Sequence, residues 1–328
     1  MRQVGLVAIG RNEGNRLRQC LRSVMGKVAR IVYVDSGSND GSVEMARSLG
    51  VDVVELDQAT PFTAARARNV GLAHLLQTHP QIEFVQFVDG DCEVVAGWLA
   101  SAHNELDTKP DVAVVCGRRR ERFPEHSVYN RLCDQEWDTP VGEAKACGGD
   151  SMMRVQALQQ VGGFNPTLIA GEEPELCLRL RQKNWKIVRL DAEMTLHDAE
   201  MTSFAQWWKR TLRAGHAFAE GVWLHGSSAE HHWVKESWSI WFWGLLLPLL
   251  AIGMAWFTQG WSLLLWSGYP VQTYRIYRRI QQRGLKSRDA LLYAFFCMLG
   301  KFPNLVGQVK FYFNNYLGRR NRLIEYKG

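Results

Sequence analysis

Residues 84–94 read FVQFVDGDCEV, an apolar run that ends in two carboxylates, Asp89 and Asp91, separated by a single glycine. The run predicts a buried strand, and the carboxylates sit at its mouth. Taken alone, Asp-Gly-Asp is more often a tight turn than a metal site. Its neighbours upstream change the odds. Gln3 to Ile9 predicts another apolar strand, followed by the polar loop GRNE (Gly10–Glu13), and Arg30 to Val34 predicts a strand followed by DSGSNDGS (Asp35–Ser42). Between strands, Leu17, Cys20, Leu21 and Val24 recur at helical spacing. Ser42 to Leu49 then predicts a short helix, Val51 to Leu56 a third strand, and Phe62 to Leu76 a longer helix capped by Thr60 with Pro61 at its first position. This alternation is that of an α/β fold, a Rossmann-like and mostly parallel sheet with helices on both faces. Such sheets bind ligands beyond the C-terminal ends of their strands, where the polar loops gather.

Within that frame Asp89 and Asp91, at i and i+2, can share one side of an extended chain, and Gly90 lets the backbone approach a ligand closely. Hard divalent cations take oxygen donors, and Mg²⁺ commonly uses one or two carboxylates together with substrate phosphates. A nucleoside diphosphate bridged to such a pair is a natural occupant.

Composition narrows the classes. The 328 residues carry ample apolar content for a core. Seven scattered cysteines with no CxxC pair argue against a disulfide framework or a zinc ribbon, and point to a reducing compartment. The N-terminal MRQVGLVAIGRNEG reads as a first strand rather than a signal peptide. The net charge of +6 is uneven: residues 275–328 hold twelve Lys or Arg against two acids, Asp289 and Glu325, so that segment carries +10 and residues 1–274 carry −4 by difference.

A basic tail suits nucleic acid or an anionic membrane. What precedes it favours the membrane, because Ser237 to Tyr274 contains no charged residue. The reading is a hairpin of two transmembrane helices, Trp238–Phe257 and Trp261–Tyr277, with tryptophans at its ends and turn. Arg275, Arg278, Arg279, Arg283, Lys286 and Arg288 then place the exit on the cytoplasmic side. The later apolar run is interrupted by Lys301, Pro303 and Lys310, and Arg319, Arg320, Arg322 and Lys327 follow it; an in-plane amphipathic or re-entrant segment fits. The expected domains are 1–222 catalytic, 223–236 linker, 237–277 hairpin and 278–328 basic surface tail.

The motifs VAIGRNE, VDSGSNDGS, ARARNVGL, FVDGDCEV, CGGDSMMRVQALQQVGGFNPTLIAGEEPELCLRLRQKNW and WWKRTLRAG, in this order, resemble the family 2 glycosyltransferases, which have the GT-A fold. The resemblance spans about Val4 to Gly221. It implies that Asp35 binds the base or ribose of a donor nucleotide, that Ala8 to Glu13, with Arg11, lines the same pocket, and that Arg68 and Asn69 lie beneath it. Asp89 and Asp91 match the family's DxD motif. Asp91 would be the direct ligand of Mg²⁺ or Mn²⁺, with Asp89 nearer the sugar or ribose, and His197 would complete the metal shell. Gly148, Gly149 and Asp150 would shape the sugar and acceptor pocket, and Arg210 and Arg213 would approach the diphosphate. Glu173, beside Glu172 and Glu175, aligns with the general base, where aspartate is usual; glutamate keeps the carboxylate and adds reach. Ser36 likewise stands where many relatives carry a second acid.

The implied activity is inverting transfer from a nucleotide sugar, UDP-linked first among candidates, to a membrane-held, polyprenyl-linked or other glycan acceptor. The implied location is the cytoplasmic face of a bacterial inner membrane. A membrane-tethered nucleotide-binding protein without transfer is the alternative. A nucleic-acid role lacks any groove-reading motif, and a nicotinamide-binding enzyme lacks GxGxxG after the first strand.

Overall fold

A computed structural model describes residues 3–57 and 59–319, so Arg320, Arg322 and Lys327 of the expected tail lie outside the described residues. The chain divides after Glu200 into two compact units.

The first unit opens with the expected alternation: β1 (Val4–Gly10), α1 (Gly14–Val24), β2 (Arg30–Asp35), α2 (Ser42–Ser48), β3 (Asp52–Glu55), α3 (Ala64–Thr78) and β4 (Phe84–Asp89). It continues through β5 (Cys92–Val94), α4 (Trp98–Thr108), β6 (Val112–Glu121), α5 (Val128–Glu136), β7 (Gly142–Glu143), β8 (Ser151–Arg154), α6 (Val155–Val161), α7 (Glu172–Gln182) and β9 (Lys186–His197). The sheet runs β3-β2-β1-β4-β8-β6-β9-β5, with β7 on β9. Its first four strands are parallel. Beyond β4 the pairing is mixed, since β8 runs antiparallel to both β4 and β6 while β6 and β9 are parallel. The "mostly parallel" expectation therefore holds for residues 4–89, where helical crossovers link the strands, and is corrected beyond them.

Why these residues form these elements is visible in the burial. β1 is buried except at its last residue, as a central strand covered on both faces must be. α1 turns Leu17, Cys20, Leu21 and Val24 into the core, as the spacing predicts. α3 is capped by the Thr63 side chain, which accepts from the Arg66 N–H, so the cap lies three residues beyond the expected Thr60. α3 also packs closely: a Cβ on Gly71 would lie 2.4 Å from Val7 Cγ1, which leaves room only for glycine.

The second unit begins with α8 (Phe204–His225), whose Ser203 and Gln206 form a reciprocal capping box. α9 (Val234–Trp241), a π-turn at Phe242–Leu246 and α10 (Leu247–Gly253) follow, then a 3₁₀ turn at Trp261–Ser267, α11 (Gly268–Gln281), α12 (Ser287–Leu299) and α13 (Lys301–Tyr316). Among the described residues two helical stretches are long and apolar enough to cross a membrane, Val234–Gly253 and Ser287–Tyr316. The first overlaps the expected span. The second replaces Trp261–Tyr277, where the 3₁₀ turn and the arginines of α11 leave too short an apolar helix. Lys301, which argued against a span at Ser287–Tyr316, donates to Ser239 Oγ at 3.0 Å and so has a partner within the unit. Trp207 is buried edge-on against Phe296.

Candidate active site

The parallel register sets Gly10 of β1 opposite Asp35 of β2, and Ile9 opposite Asp89 of β4. Two acids thus flank the C-terminal end of β1. Successive strands step to one side of β1 through β2 and β3 and to the other at β4, so the site lies at the topological switch point where open α/β sheets bind ligands.

Asp35 is buried and holds its own loop. Oδ2 accepts the Gly37 and Ser38 N–H groups, each at 2.8 Å, and Oδ1 accepts the Tyr33 hydroxyl at 2.7 Å and the Ser38 hydroxyl. Burial, reinforced by Asp35, pushes the Tyr33 phenol up, so it stays a donor. The neighbouring loop is laced to this one by Asn12, whose N–H donates to Ser38 Oγ and whose Oδ1 accepts the Asn39 N–H, both at 2.8 Å. Asn12 belongs to the Ala8–Glu13 segment named from the sequence, and its positive φ of 55° fits the tight loop.

Asp89 sits between two arginines. Its Oδ1 accepts from Arg68 Nη2 at 2.8 Å and its Oδ2 from Arg119 Nη2 at 3.0 Å. Burial would raise its carboxyl, but Arg68 and Arg119 outweigh it and hold the pKa below the ordinary value. Arg68, itself buried over the Phe164 ring, also donates to Glu172 Oε1 at 2.7 Å and so ties β4 to the start of α7. Arg119 was not singled out from the sequence, where Arg118–Arg120 reads as a plain basic stretch. Its Nε donates to Asp150 Oδ2 at 2.8 Å.

Asp91 Oδ2 lies 3.3 Å from His197 Nε2, and Glu121 Oε2 lies 3.6 Å from His197 Nδ1. The strands set this up: His197 is opposite Cys92 on β5 and opposite Glu121 on β6. His197 is the last residue of β9. Burial alone would lower the imidazole pKa, but the Asp91 carboxylate more than offsets it and the value is raised. A carboxylate oxygen and an imidazole nitrogen converging at this distance, with an acid behind the second ring nitrogen, fit Mg²⁺ or Mn²⁺. Cys92 Sγ, 3.5 Å from Asp91 Oδ1, completes the cluster.

Three acids open α7. Glu175 is taken up by Arg179 in a paired contact at 2.8 and 2.9 Å, which removes it as a base. Glu173 is nearly buried; its Oε1 accepts the Cys147 N–H and the Cys177 thiol, the latter at 3.2 Å.

Residues 7–160 match the family described as glycosyl transferase family 2. This unit belongs to that family. Its fold agrees with GT-A structures: a Pyrobaculum calidifontis mannosyltransferase solved with GDP-mannose and Mn²⁺ superposes with a TM-score of 0.64 at 17% identity, covering 94% of this chain and 88% of that one. Among curated proteins, the pre-mycofactocin glycosyltransferase of Mycobacterium tuberculosis is 28% identical over 219 residues, 63% of this chain and 44% of that protein. The succinoglycan biosynthesis protein ExoA of Rhizobium meliloti is 27% identical over 172 residues, 50% of this chain and 52% of that protein. The chain thus spans about half the length, or less, of these curated relatives.

Several residues that the family resemblance singled out make contacts within the protein itself. Ala8 is wholly buried within β1, so the pocket wall begins at Gly10 and the exposed Arg11. Glu13 pairs with Arg16 at 3.0 Å. Asn69 spends its amide on the Phe164 main chain, donating to its oxygen at 2.7 Å and accepting its N–H at 2.9 Å. Asp150 is 0% exposed and accepts from the Asp89 N–H, Arg119 and Thr195, so it braces the site. Gly149 lies against the acid and arginines, since a Cβ there would be 2.8 Å from Asp89 Oδ2, and Gly148 takes a left-handed φ of 78°. Arg210 and Arg213 stand one turn apart on α8 of the second unit.

Proposed function

We propose that the protein is an inverting, metal-assisted glycosyltransferase that moves a sugar from a UDP-sugar to a hydroxyl of a membrane-held, polyprenyl-linked acceptor at the cytoplasmic face of a bacterial inner membrane. The observation that carries the reading is the double grip of Arg68, which joins Asp89 on the donor side to Glu172 beside the candidate base. A nucleotide-binding edge and an acid-bearing helix are thereby held in one rigid arrangement. The names of the curated relatives, one a glycosyltransferase and one a biosynthesis protein for succinoglycan, support the reaction class. Two long apolar helices, with side chains such as Trp238 at 71% exposure and Leu249 at 58%, support the membrane.

In this mechanism Asp91 and His197 would hold Mg²⁺ or Mn²⁺. A cation held there would supply positive charge against the donor diphosphate as negative charge develops on the leaving nucleotide. The loops closed by Asp35 and Asn12 seat the nucleoside, and Asp89, aligned by Arg68 and Arg119, faces the ribose or sugar. Glu173 has its Oε1 anchored by Cys147 and Cys177 and takes the acceptor's proton on Oε2. Attack on the face opposite the diphosphate inverts the anomeric carbon, and no covalent enzyme intermediate forms.

The test presents labelled UDP-, GDP- and dTDP-sugars with Mn²⁺ to membranes carrying the wild type, Asp91→Asn or Glu173→Gln, and follows label into organic-extractable lipid. Wild-type transfer from a UDP-sugar is expected, with each variant slower by about a hundredfold or more. Undiminished transfer by Glu173→Gln would remove it as the base. Label that reaches only soluble products would refute the lipid acceptor.

A further inference from the structure

Around Glu173 lies a cluster whose sulfur chemistry the transfer reaction does not use. Cys177 follows Glu173 by one turn on α7, and Cys147 comes from the segment before β8; both thiols are buried. Their sulfurs are 3.6 Å apart, Cys177 Sγ is 3.2 Å from Glu173 Oε1, and all three donor atoms lie within 4.8 Å of one another. We propose that Cys147, Cys177 and Glu173 form a second metal site, one that takes a thiophilic d¹⁰ ion such as Zn²⁺ and is separate from the hard-ion site at Asp91.

The spacing favours a metal over a disulfide. Two thiolates on tetrahedral zinc, at about 2.3 Å each, stand about 3.8 Å apart, and a thiolate and a carboxylate oxygen about 3.5 Å apart. A disulfide would need the sulfurs to close to about 2.05 Å. The observed separations are therefore near those of a tetrahedral site before any movement. Ser151 Oγ lies 3.5 Å from Cys147 Sγ. In the absence of metal the thiols are protonated: burial pushes Cys147 up, and its contact with Cys147 together with burial pushes Cys177 up. Binding forms two Zn–S bonds and one Zn–O bond and releases two protons to solvent, so affinity rises with pH.

The chemistry discriminates between the two sites. Mg²⁺ and Mn²⁺ prefer the oxygen and imidazole donors of Asp91 and His197, where Cys92 offers one thiol, whereas a pair of thiolates, as at Cys147 and Cys177, selects zinc. A zinc ion at the sulfur site draws on the Oε1 atom of Glu173 and clamps α7 to the segment that carries Gly148 and Gly149. Zinc would then inhibit transfer, a consequence that rests on Glu173 as the base; the existence of the site does not.

The test uses the full chain in detergent, freed of metal, and Co²⁺ as a spectroscopic stand-in for zinc. One equivalent of Co²⁺ should give thiolate-to-metal charge-transfer absorption and tetrahedral ligand-field bands. Cys177→Ser should halve the charge-transfer band and Cys147→Ser/Cys177→Ser should abolish it. Asp91→Asn, which stops transfer under the proposed function, should keep it, so failure of the two readings is told apart. Zinc X-ray absorption of the wild type needs no variant: two sulfur neighbours at about 2.3 Å are expected. A shell of oxygen and nitrogen alone, or a cobalt band that survives the double variant, would overturn the proposal.

Discussion

Replacing Arg68 with alanine removes two charge-assisted hydrogen bonds at once, to Asp89 at 2.8 Å and to Glu172 at 2.7 Å. Breaking a buried ion pair by deleting one partner costs about 3–5 kcal/mol. The lower end applies here, because Asp89 keeps Arg119 at 3.0 Å and the Glu172 side chain is 13% exposed and can recruit some water. A loss of about 3 kcal/mol in a unit of this size lowers Tm by roughly 6–12 °C. Arg68→Lys keeps the charge but not the fork that reaches both acids, and should lose about half as much. The pH profile should change as well. Asp89 is held below its ordinary pKa, so its contribution is present at neutral pH and lost as the pH falls through the folded-state value. Without Arg68 that acid limb becomes shallower. The assay is thermal and urea unfolding of the full chain in detergent, with a double-mutant cycle against Glu172→Gln, where a coupling of about 1–2 kcal/mol is expected. A Tm within about 2 °C of wild type for Arg68→Ala, or strict additivity in the cycle, would refute the claim that this arginine holds the site together.

Other consequences follow from close approaches and burial. Gly149→Ala drives a Cβ to 2.8 Å from Asp89 Oδ2 and 3.0 Å from Arg68 Nη2, so nucleotide affinity measured by calorimetry with Mn²⁺ should fall at least about tenfold, about 1.4 kcal/mol. Unchanged affinity would show that Asp89 can shift freely. Gly307→Ala places a Cβ 2.1 Å from the Leu212 carbonyl where α13 crosses α8; about 3 kcal/mol of destabilisation is expected, and a wild-type melt would mean that the crossing opens easily. Glu220, with its pKa raised to about 7 by burial, binds its proton more tightly folded than unfolded. Stability should therefore decline as pH rises from about 4.5 to about 7 and level off above, by about 2–3 kcal/mol in all, and Glu220→Gln should flatten that slope. A slope that persists in the variant would assign it to another group.

The sequence was most readable where local rules coincide with tertiary ones. Buried strands such as Phe84–Val88 are apolar whatever their partners, and the loops after parallel strands must hold the polar residues that a ligand meets, so Asp35, Asp89 and Asp91 stood out. The helix opening at Glu172 was legible from its acids and the glycine before it. The apolar stretch from Ser237 announced helices, but not which would be long. Lys301 looked disqualifying in a linear reading because its Ser239 partner is 62 residues away.

What the sequence determined by itself was the alternation of elements and the kinds of residue at each strand end, since periodicity and turn chemistry are local. Tertiary structure alone decided which polar groups face a ligand and which hold others in place. Asp150 and Asn69 carry motif positions yet are spent on Arg119 and Phe164, and Arg119 and Glu121, unremarkable in the chain, orient Asp89 and His197. The physical reason is that a buried charge or amide must find its partner wherever the fold brings one. Arg68 lies 21 residues from Asp89 and 104 from Glu172, and only the folded sheet brings the three together.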